Sequence, residues 1–137
     1  MKKLLVMTMV LLSTVFVSCS KEDEVSSHTG IGSIYGIVTN IDSTEPIKGV
    51  GISLYKRLGG SRDFIKTMTT TIFDDGSYEF KDINFTYYGS ASYVFLYIGI
   101  ESEKHYLVGG DYRDNGYMGV EVENGKSKKI DLQVGEK

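Results

Sequence analysis

The stretch FIKTMTTTIFDDGSYEF, Phe64 to Phe80, sets the fold class before any other part of the chain. Its first ten residues are rich in Thr, Ile and Phe, which suit a pleated, half-buried surface and lose rotamer freedom in a helix. Asp74-Asp75-Gly76-Ser77 follows as a turn in which Gly supplies the positive φ of a tight hairpin. Tyr78 and Phe80 then restart an alternation of period two, which sends one set of side chains to a buried face and the other to water.

The same alternation recurs on both sides of this stretch. Ser33 to Thr39 places Ile34, Gly36 and Val38 on one face, and Val50 to Tyr55 places Val50, Ile52 and Leu54 on one face. Asn40 to Pro46 between them is a polar loop. Ala91 to Ile100 (ASYVFLYIGI) is apolar on both faces, which suits a central strand covered on both sides or one packed at a sheet edge by a loop, and makes it the expected heart of the core. Tyr106 to Val108 is a short strand, Asp111 to Gly116 a loop, and Tyr117 to Glu123 another strand. Asn124-Gly125 signals a hairpin, and Ile130, Leu132 and Val134 alternate with Lys129, Asp131 and Gln133 in the last strand. No segment carries a helical period. About seven strands in about 100 residues predict an all-β fold, a seven-stranded two-sheet sandwich of Ig-like type.

The first eighteen residues belong to something else. Met1-Lys2-Lys3 is a positive start, and Leu4 to Ser18 is uncharged but shorter than the roughly 20 residues that span a bilayer as a helix. The run ends in small residues beside Cys19, the only cysteine of the 137 residues. Residues 1–18 therefore read as a signal peptide. Phe16-Val17-Ser18-Cys19 resembles a lipobox, where the Cys thiol is diacylated and the chain is cut before it. Ser20-Lys21-Glu22-Asp23-Glu24 resembles the charged segment of surface lipoproteins of the Bacteroidota type. Residues 19–32 are expected to be the lipidated Cys and a flexible acidic tether, ending in the small, Gly-containing Val25 to Gly32. Two or more acyl chains hold a protein on a membrane where one alone does not, so the resemblance implies an outer-membrane, lipid-anchored, surface-exposed chain.

Composition limits the partners. The formal charge is −3, and losing Lys2 and Lys3 leaves 13 basic against 18 acidic residues, near −5. An acidic chain without a basic stripe repels phosphate backbones, so no nucleic-acid partner is expected. A single Cys excludes both a disulfide framework and a Cys-ligated metal site.

Residues 33–137 also resemble a family. Gly36-Ile37-Val38-Thr39, Glu45-Pro46-Ile47-Lys48-Gly49-Val50-Gly51-Ile52-Ser53-Leu54, and Thr70-Thr71 with Asp74-Asp75-Gly76-Ser77-Tyr78-Glu79-Phe80-Lys81-Asp82-Ile83 are similar to the carboxypeptidase regulatory-like domain. The resemblance implies a transthyretin-like sandwich with no catalytic residues, used beside enzymes, transporters and adhesins as a spacer or binding module.

The residues themselves offer little chemistry. His28 falls in the tether, and His105, in the polar Glu103-Lys104-His105-Tyr106, is the sole base candidate inside the domain. Asp74 and Asp75 are turn residues rather than an acid–base pair. Asp111 to Gly116 fails as an EF-hand, with Arg113 at position three and Val122 at position twelve. No metal site is expected, and Asp111, Asp114 and Asn115 are the nearest to a calcium set. A Lys–Asn cross-link between first and last strands is not expected, since Ile34 to Val38 has no Lys and Ile130 to Val134 no Asn. Asp42-Ser43-Thr44 resembles a short O-glycosylation acceptor with Ser43 as the site. Tyr87, Tyr88, Tyr112 and Tyr117 fall in or beside loops, where exposed rings stack on sugars. The expectation is a cofactor-free, non-enzymatic lipoprotein binding a polysaccharide or an envelope protein. The alternative is a structural or spacer subunit of an outer-membrane uptake or fimbrial assembly.

Overall fold

The computed structural model describes residues 26–111 and 116–137. The expected signal peptide and residues 19–25 of the expected tether, Cys19 among them, lie outside the described residues, as do Tyr112, Asp114 and Asn115. The described residues contain nine strands and no helix: β1 (Ser27–Asn40), β2 (Gly51–Arg57), β3 (Phe64–Thr71), β4 (Ser77–Tyr88), β5 (Tyr93–Glu101), β6 (His105–Leu107), β7 (Met118–Glu123), β8 (Ser127–Lys129) and β9 (Leu132–Glu136). One sheet has the order β4-β1-β9-β6, with β8 pairing β1 ahead of β9; the other has the order β3-β2-β5-β7.

The core lies between the sheets, filled by the inward residues of the period-two runs. Ile34, Val38, Tyr78, Phe80, Ile83, Leu132 and Val134 come from the first sheet, and Ile52, Leu54, Leu96, Ile98, Val120 and Val122 from the second, all buried. Burying a side chain of this kind contributes roughly 1.5–3 kcal/mol, which makes the alternation the main determinant of the fold.

Nine strands replace the expected seven: the short strand expected at Tyr106 to Val108 is present as β6, and the last strand is split in two. The break falls at Ile130 and Asp131, where the parallel ladder Ser33–Tyr35 with Ser127–Lys129 passes to Val38–Asn40 with Leu132–Val134. Asp131 Oδ1 accepts from Ile37 N at 3.1 Å, and Tyr78 Oη donates to Ile130 O at 2.6 Å. Gly36 faces this seam. A Cβ there would fall far inside van der Waals contact with the Ile130 carbonyl.

The start of the sandwich also differs from expectation. β1 begins at Ser27, and Ser27 to Gly32 pair with Ile83 to Tyr88, so this part of the expected tether is a strand. Gly30 and Gly32 point inward, where a Cβ would lie 2.7 Å from the Phe85 ring and 2.6 Å from Val122 Cγ1. These glycines make room for large core side chains rather than loosening the backbone. The pairing keeps its direction through a bulge at Lys81-Asp82, with Asp82 at φ 53°.

Two expected hairpins are turns between sheets. Gly76 reverses the chain at φ 81°, with Gly76 N donating to Phe73 O and Phe73 N to Ser77 O, yet β3 and β4 belong to different sheets. Asn124-Gly125 likewise carries the chain from β7 across to β8, with Asn124 Oδ1 accepting from Ile31 N at 3.0 Å. Strand β5 is central, but among the described residues only one of its faces is covered. Val94, Leu96 and Ile98 face the core, while Tyr93 and Phe95 on the other face are 41% and 56% exposed.

Candidate functional site: the aromatic outer face of the second sheet

Residues that alternate with the core side chains of β2, β3, β5 and β7 form the outer face of the second sheet. Six aromatic rings meet there: Tyr55, Phe64, Tyr93, Phe95, Tyr97 and Tyr117. Tyr55 and Tyr117 stack with centroids 4.3 Å apart, and Phe64 meets Tyr97 and Tyr117 edge-on at 4.9 and 5.0 Å. Tyr93 and Phe95 pack edge to face at 6.0 Å and extend the strip along β5. Gly99 makes the stack possible, since a Cβ there would stand 2.7 Å from the Tyr117 ring and 2.9 Å from that of Tyr55.

A polar network closes one end of the strip. Ser53 lies on the outer side of β2 yet is fully buried, donating to Glu101 Oε1 at 2.8 Å and sharing a hydrogen bond with Thr69 Oγ1 at 2.9 Å. Tyr55 Oη donates to the same Glu101 oxygen at 2.7 Å, and Lys66 forms an ion pair with it. The ammonium of Lys66, then the hydroxyls of Tyr55 and Ser53, hold Glu101 down from an ordinary 4.5 to about 2. Burial, and then the hydrogen bond to this carboxylate, push the Tyr55 phenol well above its usual value. The folded pKa of Glu101 being the lower one, its contribution to stability is complete above pH 4.5 and is lost as pH falls towards 2. Glu101→Gln is therefore expected to flatten the acid limb of a plot of melting temperature against pH; an unchanged limb would show that the network does not hold the carboxylate.

At the other end the β2–β3 hairpin tip, residues 58–63, stands over Phe95 and Tyr97. A shallow groove of about 500 Å³ runs between them, lined by Arg57, Leu58, Gly59, Gly60, Ser61 and Arg62 together with the two rings. Gly60 turns the loop at φ 76°, and Arg57 Nε donates to Ser61 O at 3.0 Å. Convex, hydrophobic rings beside guanidinium donors can stack on a ligand while fixing its polar groups.

The sites expected from sequence fall in several places. Tyr117 belongs to this aromatic face. Tyr87 and Tyr88 lie on β4 in the other sheet, in a strand rather than a loop; Tyr87 stacks on His28 at 5.3 Å, and Tyr88 is 61% exposed. The structure thus does not bring Tyr87 and Tyr88 together with Tyr117. Ser43 sits in the turn after β1, where Asn40 Oδ1 accepts from Asp42 N at 2.8 Å. Asp111 bridges Tyr117 through its backbone, and among the described residues no group of three His, Cys, Asp or Glu is placed to hold a metal. His105 Nδ1 pairs with Ser102 Oγ at 3.0 Å. Tyr55, Phe64, Tyr93, Phe95 and Tyr97 are the rings that sequence reasoning passed over, and the spacing Tyr93-x-Phe95-x-Tyr97 was their signal.

No family model and no curated protein matches the chain, so its likeness to the carboxypeptidase regulatory-like domain rests on the quoted motifs. Among solved structures it is similar to a streptococcal ancillary pilin, with a TM-score of 0.50 and 9% identity over 76% of this chain and 29% of that one. A minor pilin of Streptococcus agalactiae follows at 0.49, with 12% identity over 79% of this chain and 45% of that one. A DUF3823 family protein from Bacteroides uniformis stands at 0.46, with 12% identity over 76% and 43%. The chain spans less than half the length of each. The first likeness defines the class of fold, an all-β two-sheet sandwich of the kind found in a pilin domain.

Proposed function

We propose that this chain is a cell-surface lipoprotein, anchored through an acylated Cys19, whose sandwich is a non-catalytic module that binds a polysaccharide. The observation supporting this reading is the outer face of the second sheet, where a rigid strand presents Phe95 and Tyr93 to solvent beside a groove. A contiguous patch of exposed rings marks an interaction surface where a single exposed ring does not, and a flat ring on a strand is held for stacking without loss of loop entropy. The Phe95 ring contributes little to the core, and its exposure beside the groove and next to Tyr93 supports the binding reading.

A glycan array probed with the mature chain from Cys19 tests the proposal. Retention of a polysaccharide by the native chain, and about tenfold or greater loss in Phe95→Ala with an unchanged melting temperature, is expected from the removal of one stacking contact. Retention of no glycan at physiological salt would contradict it.

A further inference from the structure

We infer that the groove beneath the β2–β3 hairpin selects an acidic sugar, its carboxylate held by Arg62 beside Arg57 and its ring laid on Phe95. This inference rests on the polysaccharide reading above and names the class of sugar.

Charge and shape at this one place carry it. The chain is acidic as a whole, yet Arg57 and Arg62 both line the groove. A cationic groove on an acidic protein concentrates anions locally where the remaining surface repels them. Arg57 is laid along the hairpin by its bond to the Ser61 carbonyl, which keeps its guanidinium at the groove wall. The carboxylate within the loop, Asp63, accepts from Ser61 Oγ at 2.5 Å, and the Ser61 oxygen accepts from Asp63 N at 2.9 Å. Gly59 and Gly60 bring no side chain to the hairpin tip, and the space where a Cβ would stand is open at both.

On the far side of Phe95, across the β5–β7 ladder, stands Glu121. A ligand stacked on Phe95 therefore meets guanidinium groups on one side and a carboxylate on the other. That polarity orients an acidic sugar with its carboxylate towards the hairpin and its hydroxyls towards Glu121, which accepts from them. Arg is suited to the task because its planar fork can donate two parallel hydrogen bonds to one carboxylate. A neutral sugar makes the stacking contact and lacks the ionic one. An acidic peptide has the charge but lacks a rigid ring for Phe95.

The test compares oligogalacturonate with its carboxyl-reduced counterpart, which keeps the same backbone without the charge, and with polyglutamate. Titration calorimetry on the mature chain from Cys19 is expected to give about tenfold tighter binding of the acidic sugar than of the reduced one, as one charge-assisted pair supplies. The preference is expected to shrink in 0.5 M salt, roughly as an exposed ion pair is screened. Arg62→Gln should abolish the preference and leave reduced-sugar binding intact, while Arg62→Lys, a point charge without the fork, should fall between. Equal binding of both sugars, or a preference unchanged in Arg62→Gln, would overturn the inference and leave the polysaccharide reading standing. Polyglutamate bound as tightly as oligogalacturonate would also overturn it, in favour of an acidic protein partner. Binding of neither sugar overturns it as well, and the polysaccharide reading then stands or falls on the glycan array.

Discussion

Gly36→Ala is expected to destabilise the sandwich by about 3 kcal/mol or more, at the upper end of what overpacking costs, and so to lower the denaturation midpoint by a large fraction of a marginal total. The added Cβ has nowhere to go. The nearest atom is the carbonyl oxygen of Ile130, a backbone atom rather than the end of a flexible side chain. That oxygen accepts from Tyr78 Oη, while Ile130 N donates to Tyr35 O at 2.8 Å, so shifting it disturbs the seam where β8 passes to β9 along β1. Gly119→Ala is the control. There a Cβ meets only the Tyr97 ring at 3.7 Å, an ordinary contact, and Ala in a strand interior is about 0.5–1 kcal/mol better than Gly. If Gly36→Ala proves as stable as Gly119→Ala, the close approach of β1 to Ile130 is wrong.

Tyr78 holds the same seam from the side of the core. Its ring is fully buried against Phe80, with centroids 6.0 Å apart, and its hydroxyl reaches Ile130 O at 2.6 Å. Burial, and then the nearby charge of Asp131, raise the phenol well above its ordinary value, so it stays a donor throughout the working pH range. Tyr78→Ala is expected to cost about 3–5 kcal/mol, as for a large aromatic removed from a core. Tyr78→Phe keeps the ring and is expected to cost about 1–3 kcal/mol, the penalty of leaving the acceptor unpaired. Urea denaturation of the two variants separates the contributions, and equal midpoints for Tyr78→Phe and the native chain would remove the hydroxyl from any role in the seam.

The fold class was legible because burial in a sandwich follows the period-two pattern directly. Ile34, Val38, Ile52, Leu54, Leu132 and Val134 all fall where that pattern places them. The first six residues of β1 were not legible, because Gly and Ser have the same composition in a linker as in a strand that must clear Phe85 and Val122. Gly76 and Gly125 were legible as turns, whereas a positive φ fixes the reversal and not the sheet that receives the next strand. The candidate site was half legible. Tyr117 was singled out, but in β5 the aromatics Tyr93, Phe95 and Tyr97 alternate with Val94, Leu96 and Ile98, and a strand apolar on both faces reads as covered on both. Only the layer order shows that nothing within the described residues packs over Phe95. Tyr55 and Phe64 join it through pairings far apart in sequence, which no local pattern reports.

Amide chemical-shift mapping of the mature chain, titrated with whichever glycan it retains, tests most directly whether the outer face of the second sheet is the binding surface. Shifts centred on Tyr93 to Tyr97, residues 58–62 and Tyr55, absent in Phe95→Ala, are the predicted result. Shifts confined to the first sheet, around Tyr35, Tyr88 or Tyr106, would contradict it.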